Sequence, residues 1–239
     1  MYRLVIEPTQ QQQEWVNLTH DQQHYLKRVL RLKDGDPLII MNGQGKAWKA
    51  ILQGTSAQLL ETLTESTELA LNLSLLIALP KGSGFEEIVR GCTELGVTTF
   101  IPVISERTLL NPSAQKIERW RKIALEAAEQ SERQIVPQIL EPIKFSIALT
   151  KVKEVKTDKY ICVTRRETDH LFSYLTKPLL NPQIIATGPE GGWTTGEIDL
   201  AISAGFQPVS LGPRILRAIT APVYVASLVS AMVDTQSFS

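Results

Sequence analysis

The chain has 239 residues, and 25 lysines and arginines balance 25 aspartates and glutamates, so the formal net charge is zero. Hydrophobic residues make up 43% and charged residues 21%, a globular composition that excludes a disordered or fibrous chain and fits one large domain or two modest ones. No uncharged apolar run approaches the ~18–20 residues that span a bilayer. A charged-then-apolar signal pattern is also missing near the N-terminus, so a cytoplasmic protein without membrane contact is expected. The two cysteines, Cys92 and Cys162, cannot make a disulfide framework and fit a reducing compartment.

Residues 1–70 read as short strands around one helix, a small β-barrel. Alternating patterns cover residues 2–7, 38–41 and 47–52, and Asn42-Gly43-Gln44-Gly45 between the last two reads as a hairpin loop. Residues 20–33 have helical periodicity and stop at Asp34-Gly35. On that helix His24, Lys27, Arg28 and Arg31 fall at i, i+3, i+4, i+7 and share one face, with Tyr25, Val29 and Leu32 marking the buried side. The stripe lacks acids and suits RNA phosphates, or else is a solvated face. A second basic group, Lys116, Arg119, Arg121 and Lys122, sits among glutamates that offer pairing within the helix.

From residue 71 to 239 strands alternate with helices. Apolar runs at 73–79, 98–104, 160–164, 184–187 and 209–211 read as strands, and each is followed by a helical stretch, the longest at 116–133. Such alternation implies a parallel sheet with helices on both faces.

Two loops stand out in this second part. Gly188-Pro189-Glu190-Gly191-Gly192 leaves a strand and enters a helix, and Thr194 and Glu197 have the spacing of a capping box. Ligands of α/β proteins bind at such strand ends. The dinucleotide fingerprint and the P-loop are both absent, and a carboxylate at Glu190 disfavours a phosphate. A ligand with hydroxyls, an amine or a cationic centre suits the loop better, and a plain tight turn is the simpler alternative. Leu211-Gly212-Pro213-Arg214-Ile215-Leu216-Arg217 follows the last strand, with Thr220 as a candidate N-cap for an uncharged helix over 223–233. That helix is apolar almost all round and belongs in a core or a subunit interface. The two arginines either pair internally, for instance with Glu190, or face a substrate.

The two loops together resemble the bacterial ribosomal RNA small subunit methyltransferase E family of the SPOUT superfamily. His24-Tyr25-Leu26-Lys27-Arg28-Val29-Leu30-Arg31, Glu94-Leu95-Gly96-Val97, Ser105-Glu106-Arg107 and Glu129-Gln130-Ser131-Glu132-Arg133 agree, and the match is weakest over 141–183. The resemblance implies an α/β fold: a PUA-like β-barrel for RNA over 1–70, and a SPOUT methyltransferase domain with a deep trefoil knot over 71–239. It implies S-adenosylmethionine in the knot, a homodimer, and methylation of a uridine at ring nitrogen 3 in small-subunit ribosomal RNA or the assembled 30S subunit. Carried over by position, Thr187, Gly188, Glu190, Gly191, Gly192, Leu211, Gly212, Leu216, Ala218 and Thr220 would hold the cofactor. The family pattern Arg-Thr-Glu-Thr-Ala appears here as Arg217-Ala218-Ile219-Thr220-Ala221, so a hydroxyl and a carboxylate are replaced. That departure motivates an alternative, a non-catalytic ribosomal-RNA-binding assembly factor of the same fold.

Methyl transfer to a uridine imide needs stabilisation of an anion that spreads onto two carbonyl oxygens, and Arg217 and Arg107 are the candidate catalytic groups. His20, His24 and His170 are expected away from both loops, and no metal site is expected because they do not combine with cysteines or carboxylates at ligand spacing.

Overall fold

The computed structural model describes residues 1–176 and 181–237. It divides into two compact units, Met1–Glu68 with Ala128–Val136, and Leu69–Ala127 with Pro137–Ser239. Residues 128–136 join the first unit because Arg133 Nη2 lies 2.6 Å from Glu68 Oε2, with both side chains almost fully buried, and Glu68 Oε1 accepts from Ile135 N at 2.9 Å.

The first unit is an open six-stranded sheet in the order β1-β4-β5-β6-β3-β2. Its strands are β1 (Arg3–Val5), β2 (Gln11–Gln12), β3 (Trp15–Asn17), β4 (Pro37–Met41), β5 (Ala47–Gln53) and β6 (Ser56–Thr62). β1 pairs with β4 in parallel and the other ladders are antiparallel. The β4–β5 hairpin forms where expected, and Asn42 Oδ1 closes its loop by accepting from the amides of Gln44 and Lys46. Strand alternation sends Leu38 and Ile40 into one core with Leu4, Val16, Leu26 and Leu52, while Ile39 and Met41 pack on the other face.

The helix of this unit departs from expectation. Helix α1 (His20–His24) starts at a capping box made by Thr19 and Gln22 and passes into a π-turn over Tyr25–Val29. Arg31 then takes φ of 59°, so the regular spacing breaks before the basic stripe is complete. The π-turn rotates the inward face: Leu26 is buried, whereas Tyr25 and Val29, expected inside, are exposed.

The second unit carries a parallel seven-stranded sheet in the order β10-β8-β7-β12-β11-β13, with β9 also on β8. The strands are β7 (Leu73–Ala78), β8 (Thr99–Ile104), β9 (Gln138–Ile139), β10 (Ile143–Lys144), β11 (Asp158–Cys162), β12 (Gln183–Thr187) and β13 (Gln207–Val209). The helices are α2 (Gly84–Glu94), α3 (Ala114–Gln130), α4 (Phe145–Lys153), α5 (Leu171–Leu175), α6 (Thr195–Ser203) and α7 (Thr220–Ser237).

Both faces of the sheet are covered. Leu76, Ala78, Ile101 and Ala186 face Phe145, Leu149 and Ile198 of α4 and α6. Phe100, one residue before Ile101, meets Phe85 of α2 edge-on, and Phe85 meets Trp120 of α3 at 4.4 Å between ring centroids. The helix α7 begins at Thr220 itself, three positions before the expected start at residue 223 and with Thr220 inside it rather than capping it, because the amides of Thr220 and Ala221 both reach the Arg217 carbonyl. One side of α7, Val225, Ala226, Val229 and Val233, is buried in this unit.

Candidate functional site

The strand order decides which loops meet. β11 lies between β12 and β13, so its carboxyl end stands between the glycine loop after β12 and the Leu211–Arg217 segment after β13. All three converge on one cleft of about 230 Å³ at the carboxyl ends of the strands. This is the edge where open α/β sheets place ligands.

The glycine loop is shaped by close contacts. A Cβ on Gly188 would lie 3.1 Å from Trp193 Nε1, and one on Gly191 would lie 3.0 Å from Arg107 Cδ. Gly192 has φ of 70°, and its amide donates to the Pro189 carbonyl at 2.8 Å, which closes the turn. Trp193 stacks on Phe145 at 4.4 Å, anchoring the loop on the α4–α6 core.

Two carboxylates then fix the loop to its neighbours. Glu190 Oε1 accepts from the amide of Lys81, just beyond β7. Buried Glu197 completes the capping box with Thr194, its Oε2 accepting from Thr194 N at 2.9 Å, while its Oε1 accepts from Glu106 N at 2.9 Å beyond β8. Arg107, next to Glu106, donates from Nη1 to the Gly191 carbonyl at 2.6 Å.

Of the expected cofactor residues, Gly188, Gly191, Gly192, Leu211, Gly212, Leu216 and Ala218 line the cleft, and so does Arg107. Thr187, Glu190, Thr220 and Arg217 are outside the lining. Thr187 is fully buried at the end of β12, Glu190 is turned to Lys81, and Arg217 and Thr220 are exposed. The internal pairing considered for the arginines is not made: among the described residues neither Arg214 nor Arg217 has an ion-pair partner, and both are exposed rather than buried.

Sequence reasoning missed Cys162, Val163, Thr164 and Arg165 at the end of β11, and also Trp193 and Ile198. Nothing local marks the end of β11, because only the sheet order brings it here. His170, expected far from both loops, pairs with Ser210 as a bridge and has its Nε2 3.9 Å from where a Gly212 Cβ would stand. Its Nδ1 accepts from Phe172 N at 3.1 Å, capping α5. Burial pushes the Cys162 thiol up to about 12, so it stays protonated near neutrality and is no thiolate nucleophile.

In the first unit, His24, Arg28 and Arg31 are exposed, while half-buried Lys27 is held by Asp34 at 3.1 Å. The second basic group is largely paired: Arg119 with Glu86, Arg121 with Glu118 and Glu141, Lys122 with Glu126. Lys116 donates to the Gly82 carbonyl. Among the described residues no cluster of metal-binding side chains occurs and no helix is long and apolar enough to cross a membrane.

Residues 67–230 match the RNA methyltransferase domain family, and residues 18–62 match the RNA methyltransferase PUA domain. A ribosomal RNA small subunit methyltransferase E of Synechocystis sp. is 52% identical over 98% of this chain and 78% of its own length. The chain belongs to the ribosomal RNA small subunit methyltransferase E family. The Bacillus subtilis member is 33% identical over 96% of both chains. The solved structure of the Neisseria gonorrhoeae member, bound to S-adenosyl methionine, aligns with a TM-score of 0.86 at 32% identity, covering 100% of this chain and 98% of that one. A Legionella pneumophila methyltransferase in complex with the same cofactor aligns at 0.84 with 27% identity, over 96% and 97% of the two chains.

In this member the family departure at 218–219 has a structural context. Ala218 lines the cleft, whereas Ile219 lies outside the lining and packs within 3.0 Å of where a Gly84 Cβ would sit.

Because Glu197 satisfies amides on two segments from a buried position, Glu197→Ala is expected to lower stability by about 2–4 kcal/mol, combining a lost cap and a stranded amide. Urea denaturation measures this, and a loss below about 0.5 kcal/mol would place the staple elsewhere.

Proposed function

We propose that the chain transfers a methyl group from S-adenosylmethionine to ring nitrogen 3 of a uridine in small-subunit ribosomal RNA, as a cytoplasmic homodimer. The observation that carries this reading is the convergence of the two family loops and the end of β11 on one cleft. The residues present fit the cofactor. The cleft is lined by glycine backbone and apolar side chains together with Thr164, Arg107, Arg165 and Arg214, and one buried lining atom, Trp193 Nε1, has no hydrogen-bond partner among the described residues. Gly188, Gly191 and Gly192 would admit it closely, and Leu211, Leu216 and Ala218 would flank it from the opposite loop.

The cofactor supplies an electrophilic methyl on a sulfonium sulfur. The chain supplies alignment and charge. Holding nucleophile and methyl in line can contribute roughly 7–11 kcal/mol of the barrier. Once the imide proton has passed to solvent water, negative charge rests on the flanking carbonyl oxygens of the uracil. Arg107, fixed on Gly191 in the lining, is the donor assigned to that charge, and Arg217, exposed at the foot of α7 outside the lining, is the second candidate.

RNA is held in part by the first unit, where Arg28 and Arg31 are exposed beside exposed Tyr25, a base-stacking surface next to phosphate donors. The dimer reading rests on α7. Its buried side faces the core of the second unit, and Leu228 and Met232, which flank that side, remain partly exposed.

Arg217→Ala is expected to lower turnover about 10²–10³-fold while S-adenosylhomocysteine affinity, read by calorimetry, is kept. Undiminished turnover on the same RNA would remove Arg217 from catalysis. Reversing charge at Arg28 and Arg31 should weaken RNA binding and reduce its salt slope by about one unit per lost phosphate contact; an unchanged slope would free this surface from any RNA role.

A further inference from the structure

Three loops bring arginines to the cleft rim: Arg107 after β8, Arg165 after β11 and Arg214 after β13. Arg107 donates to the Gly191 carbonyl and is already assigned to the charge on the uracil ring. Arg165 and Arg214 are exposed, and among the described residues neither has an acidic partner, although Arg119, Arg121 and Lys122 of the same unit are paired. Arg165 also has φ of 58°, the left-handed region where glycine or asparagine sits more easily. A guanidinium kept on such a backbone, at a cleft, marks a position where the side chain matters.

Charge decides what these two side chains address. S-adenosylmethionine carries a sulfonium and an ammonium against one carboxylate, a net cation, and unpaired arginines on its rim repel it. RNA carries one phosphate per nucleotide and lies outside the cofactor, where the rim is. Exposed guanidiniums from two separate loops suit bidentate contact with successive phosphates. We propose that Arg165 and Arg214 clamp the backbone phosphates flanking the target nucleotide and so position its base over the cleft. The clamp rests on the methyltransferase reading above and adds a phosphate contact on the second unit to the Arg28 and Arg31 surface of the first. Neither residue donates to the reacting ring; both are positioning residues.

The test compares the unaltered chain with Arg165→Gln/Arg214→Gln, using small ribosomal subunits that lack the methyl group, across a salt series. S-adenosylhomocysteine is titrated separately. The expected result is RNA affinity about tenfold weaker, with a log–log salt slope shallower by about 1.4–1.8, for two phosphates released. Cofactor affinity stays within about twofold, and Arg165→Lys/Arg214→Lys recovers most of the slope because it keeps the charge. Unchanged RNA affinity and slope overturn the clamp. So does a loss of cofactor affinity with RNA binding intact, which would assign the guanidiniums to the cofactor carboxylate. If Arg165→Gln disturbs folding, Arg214→Gln alone is read by the same criteria, with a slope change of about 0.7–0.9. An unaltered chain that binds neither RNA nor S-adenosylhomocysteine defeats the methyltransferase reading itself, and that outcome is distinct from all of these.

Discussion

The cleft depends on two carboxylates that belong to the glycine loop and the helix after it. Glu190 holds the loop to the amide of Lys81, and Glu197 holds the start of α6 to the amide of Glu106. Each contact joins the end of β12 to the end of another strand, so segments distant in sequence share one rigid rim. A buried carboxylate that accepts two amides is strongly tied, because leaving either donor unpaired carries its full desolvation cost. Arg107 is placed by the same device, being the residue after Glu106 and bonded to Gly191. Glycine at 188 and 191 lets Trp193 and Arg107 pack closely, since a Cβ would lie 3.1 and 3.0 Å from them. The loop is therefore both tightly fixed and free of side chains where a ligand approaches.

That combination suits a reaction in which the cofactor is reactive already. The protein need not create a strong nucleophile; it must align two substrates and shield a developing anion. A glycine-walled cleft with apolar sides gives alignment, and arginines on separate loops give positive charge at the rim. Zero net charge over the whole chain is compatible with RNA as a substrate because exposed cations on the basic helix and beside the cleft can act locally. Arg28 and Arg31 stand free on one unit and Arg165, Arg214 and Arg217 on the other, while most other arginines are in ion pairs among the described residues. Affinity then depends on folded RNA that meets these points together, not on bulk attraction.

Much of this was legible in the sequence. Strand and helix alternation after residue 71, the hairpin at residues 42–45, the Thr194–Glu197 capping box and the two ligand loops all follow from local patterns. What stayed hidden depended on tertiary order. Cys162 to Arg165 look like any strand end, and only the insertion of β11 between β12 and β13 brings them to the cleft. The contact of Glu197 with Glu106 and the approach of His170 to Gly212 are long-range for the same reason. The buried side of the basic helix was misassigned for a different reason. Its i, i+3, i+4, i+7 spacing presumes a regular helix, but a π-turn over Tyr25–Val29 and the left-handed Arg31 alter the register. Leu26, not Tyr25, faces the core as a result. Periodicity assigns a face only as far as the helix is regular.

The central claim is that this cleft methylates a uridine ring nitrogen in small-subunit ribosomal RNA. The direct measurement is to incubate the chain and labelled S-adenosylmethionine with small subunits that lack the modification, digest the RNA to nucleosides, and identify the labelled product. The account predicts 3-methyluridine. Label on a ribose oxygen or a ring carbon, or no label in RNA while the cofactor binds, would contradict it.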